Sequence, residues 1–381
     1  MSHSRPRGSF WPTPTQRALL EVVLGPVDRA LSRWQALQPL DVTVLETGSF
    51  GLLPLLYERL RDAVPDERQL PRLFGTYRSI WYRNQLLLDR LAVLLPLLRQ
   101  RAGVEPLLVG GASTLLRWYP RLGLRPVPQL EVIVEPEAAA QSVKVATYAG
   151  WRSVAHMHSS TVLRDESDRV LVIHHGAPSA MVGPLGDAGL ASLREHAVEL
   201  TDVEERPSVL DAADELLFTC ATGARTVFLR TCQWLVDTDR ILHSAEAPAT
   251  DVLLERARRV RLVAPVRAAM HYLDELVGDD TLRENAAAFG AEPLGRRDRV
   301  AFALSGLPNG RVAGAAQILA TYVQATADDP AFRAAAGLPR HLQQRWGARS
   351  LAEVPLLALR KGLRRAEPQP SGPDRNRSAS S

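Results

Sequence analysis

Cysteine and lysine are nearly missing from this chain. Two of its 381 residues are cysteine, Cys220 and Cys232. Both sit in apolar, helix-like sequence and neither falls in a metal-ligand spacing, so buried, reduced thiols are expected. Lysine occurs only at Lys144 and Lys361 among 46 basic residues, a bias that reads as GC-rich coding more than as a demand for guanidinium chemistry. No apolar run reaches the roughly 18–20 residues that a membrane helix requires. The nearest, Leu86 to Leu98, is interrupted by Asp89, Arg90 and Pro96. The N-terminal MSHSRPRGSFWPTP has no apolar signal core, so a cytoplasmic protein without a membrane partner is expected. The net charge of +4 resides wholly in residues 360–381, and the remaining chain sums to zero, which gives no reason to expect a nucleic-acid partner. No internal repeat is present.

What is present is an ordinary globular composition, 46% hydrophobic and 23% charged, long enough for two or three packed units. Residues 1–14 are expected to be disordered. From Thr15, which can cap a first helix, to about residue 103 the apolar spacing is helical. Leu52 to Leu60 reads as a second helix. Pro71 to Gln100 reads as a long third one, with Tyr77, Trp81 and Asn84 spaced for helix packing and one satisfied amide. Residues 104–200 read as an α/β core and 201–365 as a second helical lobe, with Asp211 a helix cap and Asp214 favourably placed in the first turn. Further helices are expected over Asp251–Leu276 and about Ala315–Thr326. Residues 366–381 have the composition of a disordered tail.

The centre of the chain is Leu107 to Val134. A short apolar run, Leu107–Val109, stops at Gly110-Gly111; a helix-like segment, Ala112 to Trp118, follows; a Pro- and Gly-containing loop leads to a second run, Leu130–Val134. Paired glycines permit positive φ and close backbone approach. Amides entering a helix N-terminus can hold a phosphate. Beyond this lie a helix from Glu137 to Tyr148 and three strands, Trp151–His158, Thr161–Arg164 and Val170–His175, the last two joined through the turn-forming Asp165-Glu166-Ser167-Asp168. A mostly mixed sheet with helices on one side fits this order.

The glycine turn, helix, Arg125 and following strand resemble the core of a largely uncharacterised bacterial nucleotidyltransferase family with the polymerase-β-like fold. Gly110, Gly111, Ala112 and Ser113 match its glycine turn, and Arg125 matches an arginine four residues before an Asp-x-Asp strand. The Leu52–Leu60 and Tyr77–Asn84 segments and the Trp234–Asp237 stretch (WLVD) are similar to flanking family helices. The resemblance implies an α+β fold with N- and C-terminal helical lobes. It also implies transfer of a nucleotide from a nucleoside triphosphate to a small-molecule or peptide acceptor, with Mg²⁺. On this reading Gly110, Gly111 and Ser113 hold phosphate, Arg125 supports the site and Glu131 is a catalytic metal ligand.

The chemistry of that resemblance is damaged at its centre. Carboxylates at i and i+2 on a strand share a face and present two Mg²⁺ ligands to one site. Here Gln129 and Glu131 stand where the two Asp residues belong, and Val172 stands at the third, two residues before His174. Val109 stands where many relatives have Lys, and Thr222 and Thr226 where relatives have histidines. Losing two anionic ligands, at about 3–4 kcal/mol each, implies a rate loss on the order of 10⁴-fold or more. This copy is therefore expected to be weakened or inactive, the alternative being a non-catalytic partner-binding scaffold in a bacterial biosynthetic pathway. A rebuilt transfer site would need Asp165, Glu166 or Asp168 to reach the glycine turn. A transition-metal site would need His156, His158, His174 and His175 to converge with Glu131, which is not expected.

Overall fold

A computed structural model describes residues 10–178 except 39, 42–44 and 158, together with 181, 188–224, 232–307, 313–326, 337–343, 350–351 and 353. The N-terminal helices are α1 (Pro14–Leu24), α2 (Val27–Ala36), α3 (Leu53–Leu60) and α4 (Leu70–Leu97). Residues 10–14 depart from the expected disordered leader. Phe10 is buried against Phe302, and Trp11 stacks on Tyr272 at 5.1 Å, so aromatic burial anchors the chain before α1. Thr13, not Thr15, caps α1: its hydroxyl accepts from the Gln16 amide while the Gln16 side chain accepts from the Thr13 amide, and Pro14 opens the helix. The long α4 runs through Pro96 into a π-turn, Leu98–Ala102, and ends at Gly103 with φ +66°.

The sheet follows, built from β1 (Leu107–Val109), β2 (Gln129–Val134), β3 (Arg152–Met157), β4 (Ser160–Arg164), β5 (Val170–His175), β6 (Val198–Glu199) and β7 (Ser208–Val209), with α5 (Gly111–Trp118), α6 (Ala139–Tyr148) and α7 (Ala188–His196) between them. Its seven strands run in the order β3-β4-β5-β2-β1-β7-β6. The β2–β5 and β1–β7 pairs are parallel and the others antiparallel. The core thus takes a strand from beyond the expected limit at residue 200, because Ser208 and Val209 extend the sheet alongside β1.

Alternation along β2 sends Leu130, Val132 and Val134 into an apolar layer with Leu91, Leu94 and Leu95 of α4 and Val145 of α6. Leu107, Val109 and Ile133 point the other way, into a larger cluster shared with α1, α3 and the C-terminal helices. The expectation of helices on one side fails for this reason: β1 and the end of β2 are apolar on both faces, and both faces are covered.

The C-terminal lobe contains α8 (Ala212–Gly223), α9 (Gln233–Leu242), α10 (Thr250–Arg259), α11 (Val263–Leu276), α12 (Asp280–Ala291), α13 (Arg296–Ser305) and α14 (Ala313–Ala325). Asp211 caps α8, its carboxylate accepting from the Asp214 amide at 2.9 Å. The single helix expected over Asp251–Leu276 is two: Arg261 adopts φ +54° and the Leu262 amide reaches back to the Ala257 carbonyl, a stop made without glycine. Cys220 and Cys232 are buried free thiols, each pushed up to about 12 by burial. No helix among the described residues is long and apolar enough to cross a membrane. Thr226, His158 and residues 354–381 lie outside the described residues.

Candidate nucleotide site

Gly110 takes φ +68° and ψ −145°, a conformation reserved for glycine, and turns the chain from β1 into α5. A Cβ there would also lie 2.7 Å from Glu131 Oε1, so the carboxylate rests against the turn itself. The Gly110 carbonyl accepts from the Thr114 amide and hydroxyl, both at 3.0 Å. The amides of the first turn of α5, Gly111 to Ser113, have no acceptor within the helix.

Gly111 makes a further contact, with Arg125. Its Cβ would meet Arg125 Nη1 at 2.7 Å, and its carbonyl accepts from that nitrogen at 3.1 Å. Arg125 is buried and held in a two-point pair by Asp237, Nε to Oδ1 at 2.9 Å and Nη2 to Oδ2 at 2.7 Å. The Tyr119 hydroxyl donates to the same carboxylate at 2.6 Å and accepts from Gln233 at 2.8 Å. Burial lowers the guanidinium's proton affinity, but the charge and bonds of Asp237 outweigh it and raise Arg125 above its ordinary value. Arg125 therefore braces the turn from behind.

Asn84 does the same for the loop, donating to the Leu122 and Arg125 carbonyls at 2.6 and 2.7 Å and accepting from the Val127 amide at 3.1 Å. The Tyr77 ring packs where a side chain on Gly123 would stand. Trp81, expected in the same packing, is instead exposed.

The Ser113 hydroxyl is fully buried and turns to Glu215, at 3.2 and 3.3 Å from its two oxygens, beside Thr114, which donates to Glu215 at 2.7 Å. Burial drives the Glu215 carboxyl up to about 7, against the bonds from Thr114 and Ser113 and the charge of Arg117 3.9 Å away. Only the Ser113 amide, and not its hydroxyl, is left to face an anion at the turn.

Glu131 pairs across β1 with Val109 and across β5 with Val172, whose own antiparallel partner is Val162. The register thus sets Val172 beside Glu131. Gln129, two residues earlier on β2, shares the face. Glu131 accepts a contact from His174 Nε2 at 3.1 Å. His156 and His175 lie on the opposite face, both bonded to the Thr161 hydroxyl at 3.2 and 3.0 Å, so the strand alternation separates them from Glu131 and His174. Among the described residues no group of three or more His, Cys, Asp or Glu is placed to hold a metal ion.

Two of the three acids of the β4–β5 turn are paired with arginines. Asp165 bonds Arg169 at 2.7 Å and lies 3.6 Å from Arg90, and Asp168 pairs with Arg164. Burial raises the Asp165 carboxyl, but the bonds from the Arg169 side chain and the Arg169 and Ser167 amides prevail and hold it below the ordinary range.

A mixed sheet whose glycine turn enters a helix, braced by an Arg–Asp pair and flanked by helical lobes, is the framework of a nucleotidyltransferase. The chain belongs to the uncharacterised nucleotidyltransferase family, whose model matches residues 49–278. No curated protein matches it. Membership brings nucleotidyl transfer from a nucleoside triphosphate, with a divalent metal, as the general activity. Of the three side chains that strand register sets together, Gln129, Glu131 and Val172, only Glu131 is anionic, with the His174 imidazole beside it, so these residues do not fit the metal pair that such transfer uses.

Proposed function

We propose that this protein keeps the family's nucleotide-binding framework and has lost efficient nucleotidyl transfer to its small-molecule or peptide acceptor. The observation that carries this reading is the row Gln129–Glu131–Val172, in which one carboxylate stands with an amide and a valine. Without a full cation set, Glu131 repels the phosphates that the turn would hold, since two like charges 4 Å apart cost about 4 kcal/mol at the protein surface. Gly110, Gly111 and the Ser113 amide form the remaining phosphate cradle, Glu131 is the one anionic ligand, Gln129 its degenerate neighbour, and Arg125 a support behind the turn. A weak nucleotide site on an intact scaffold suits a pseudoenzyme that acts through a partner in a bacterial biosynthetic pathway.

Isothermal titration of the full chain with ATP, GTP, CTP and UTP, each with and without Mg²⁺, tests the reading. The expected result is weak binding of any triphosphate, with affinities that Mg²⁺ changes by less than about threefold. Micromolar, Mg²⁺-dependent binding of one triphosphate would overturn it and restore the active transferase.

A further inference from the structure

Residues of α9, α10, α12 and the loop before α10 line a cavity of about 500 Å³, within the range of small-molecule sites. Its walls are mainly apolar, with Leu242, Leu254 and Ala288 among them. Asn285 is 3% exposed; its amide nitrogen donates to the Thr281 carbonyl at 3.0 Å, and its Oδ1 has no donor. Buried oxygens of this kind are nearly always matched. Glu284 and Asp251 add two carboxylates to the lining, and no basic side chain lines the cavity. The Thr250 hydroxyl is already given to Glu284 at 3.3 Å. The cavity therefore offers two carboxylates and an unmatched amide oxygen beside an apolar floor, with the hydroxyls of Thr250 and Thr281 also in its lining.

We propose that this cavity is a binding site for a small amphipathic amine. The ammonium group would pair with Glu284 and Asp251 and donate to Asn285 Oδ1, and the apolar body would cover Leu242, Leu254 and Ala288. Anions are disfavoured by the two carboxylates. The cavity shares no lining residue with the glycine turn, and its α12 wall lies beyond residue 278, where the family match ends.

The test titrates the full chain with three matched probes: 4-phenylbutylamine, 4-phenylbutan-1-ol and 4-phenylbutyrate. The amine is expected to bind about fivefold or more tightly than the alcohol, as a charge-assisted contact should, and the carboxylate not to bind. Glu284→Gln should narrow the gap between amine and alcohol. Ala288→Phe, at a half-buried position, should fill the cavity and abolish binding of both, with far-UV circular dichroism unchanged. If Ala288→Phe fails to fold, Asp251→Asn combined with Glu284→Gln carries the test through the same gap. Equal binding of amine and alcohol would overturn the assignment of charge. Absence of binding by all three probes, which would leave a water on Asn285, would overturn the site, as would amine binding that survives a folded Ala288→Phe.

Discussion

Glu215 shows how side chains beneath the glycine turn couple to solution conditions. Its carboxyl is raised by burial to about 7, above its ordinary value, so the folded protein binds this proton more tightly than the unfolded chain does. The resulting stability is complete below a pH of about 4.5 and is lost as pH rises through about 7. Glu215→Gln keeps an acceptor for Thr114 and removes the titration. Thermal melts from pH 5 to pH 8 should show the wild type losing about 3 kcal/mol relative to the variant across that window. A constant difference would show that Glu215 does not titrate there.

Individual residues were legible where chemistry is local. Gly110, Glu131, Gln129 and Val172 fall together because strand alternation and parallel register bring i and i+2 positions onto one face. The partners of Arg125 and Ser113, Asp237 and Glu215, were not legible because they lie 112 and 102 residues further on, and nothing near them in sequence announces the contact. The WLVD stretch was the available signal for Asp237: a carboxylate on the inner face of a helix needs a cation, and Arg125 is that cation.

Elements follow the same division. Strand β5 and helices α3 to α6 were readable from apolar spacing and from the glycines and prolines around them. The break between α10 and α11 was not, because Arg261 occupies the left-handed position that glycine usually marks. Close approach of α8 and α9 likewise depends on one small residue. A Cβ on Gly223 would stand 2.3 Å from the Trp234 ring, so Gly223→Ala should lower stability by about 1–3 kcal/mol in denaturant unfolding. Gly75, inside α4 with nothing within 4 Å of its Cβ position, provides the opposite case, and Gly75→Ala should raise stability by about 0.5–1 kcal/mol. Equal effects at the two sites would remove the packing explanation.

At the scale of the whole molecule, one apolar cluster runs from Phe10 and Leu19 through Leu107 and Val109 to Leu273 and Phe289. The Arg125–Asp237 and Ser113–Glu215 contacts tie the sheet to the C-terminal lobe across the same region. Lobes told apart in the sequence by apolar spacing are thus joined by their core, and tryptophan fluorescence and far-UV circular dichroism should report one coincident urea transition. Two separated transitions would show that the lobes fold independently. The fold was legible because its framework is carried by short-range pattern, whereas the joining core is made of contacts between distant segments, for which the sequence offers no local cue.

Under the proposed function, Gln129 and Val172 in place of carboxylates beside Glu131 account for a loss of nucleotidyl transfer on an otherwise intact scaffold. The most direct measurement is Mg²⁺-dependent triphosphate binding by the Gln129→Asp, Val172→Asp double variant beside the wild type, with circular dichroism confirming that both are folded. The account predicts that Mg²⁺ tightens binding to the double variant by about tenfold or more and leaves the wild type nearly unchanged. A folded double variant as indifferent to Mg²⁺ as the wild type, or a wild type that already responds, would contradict it.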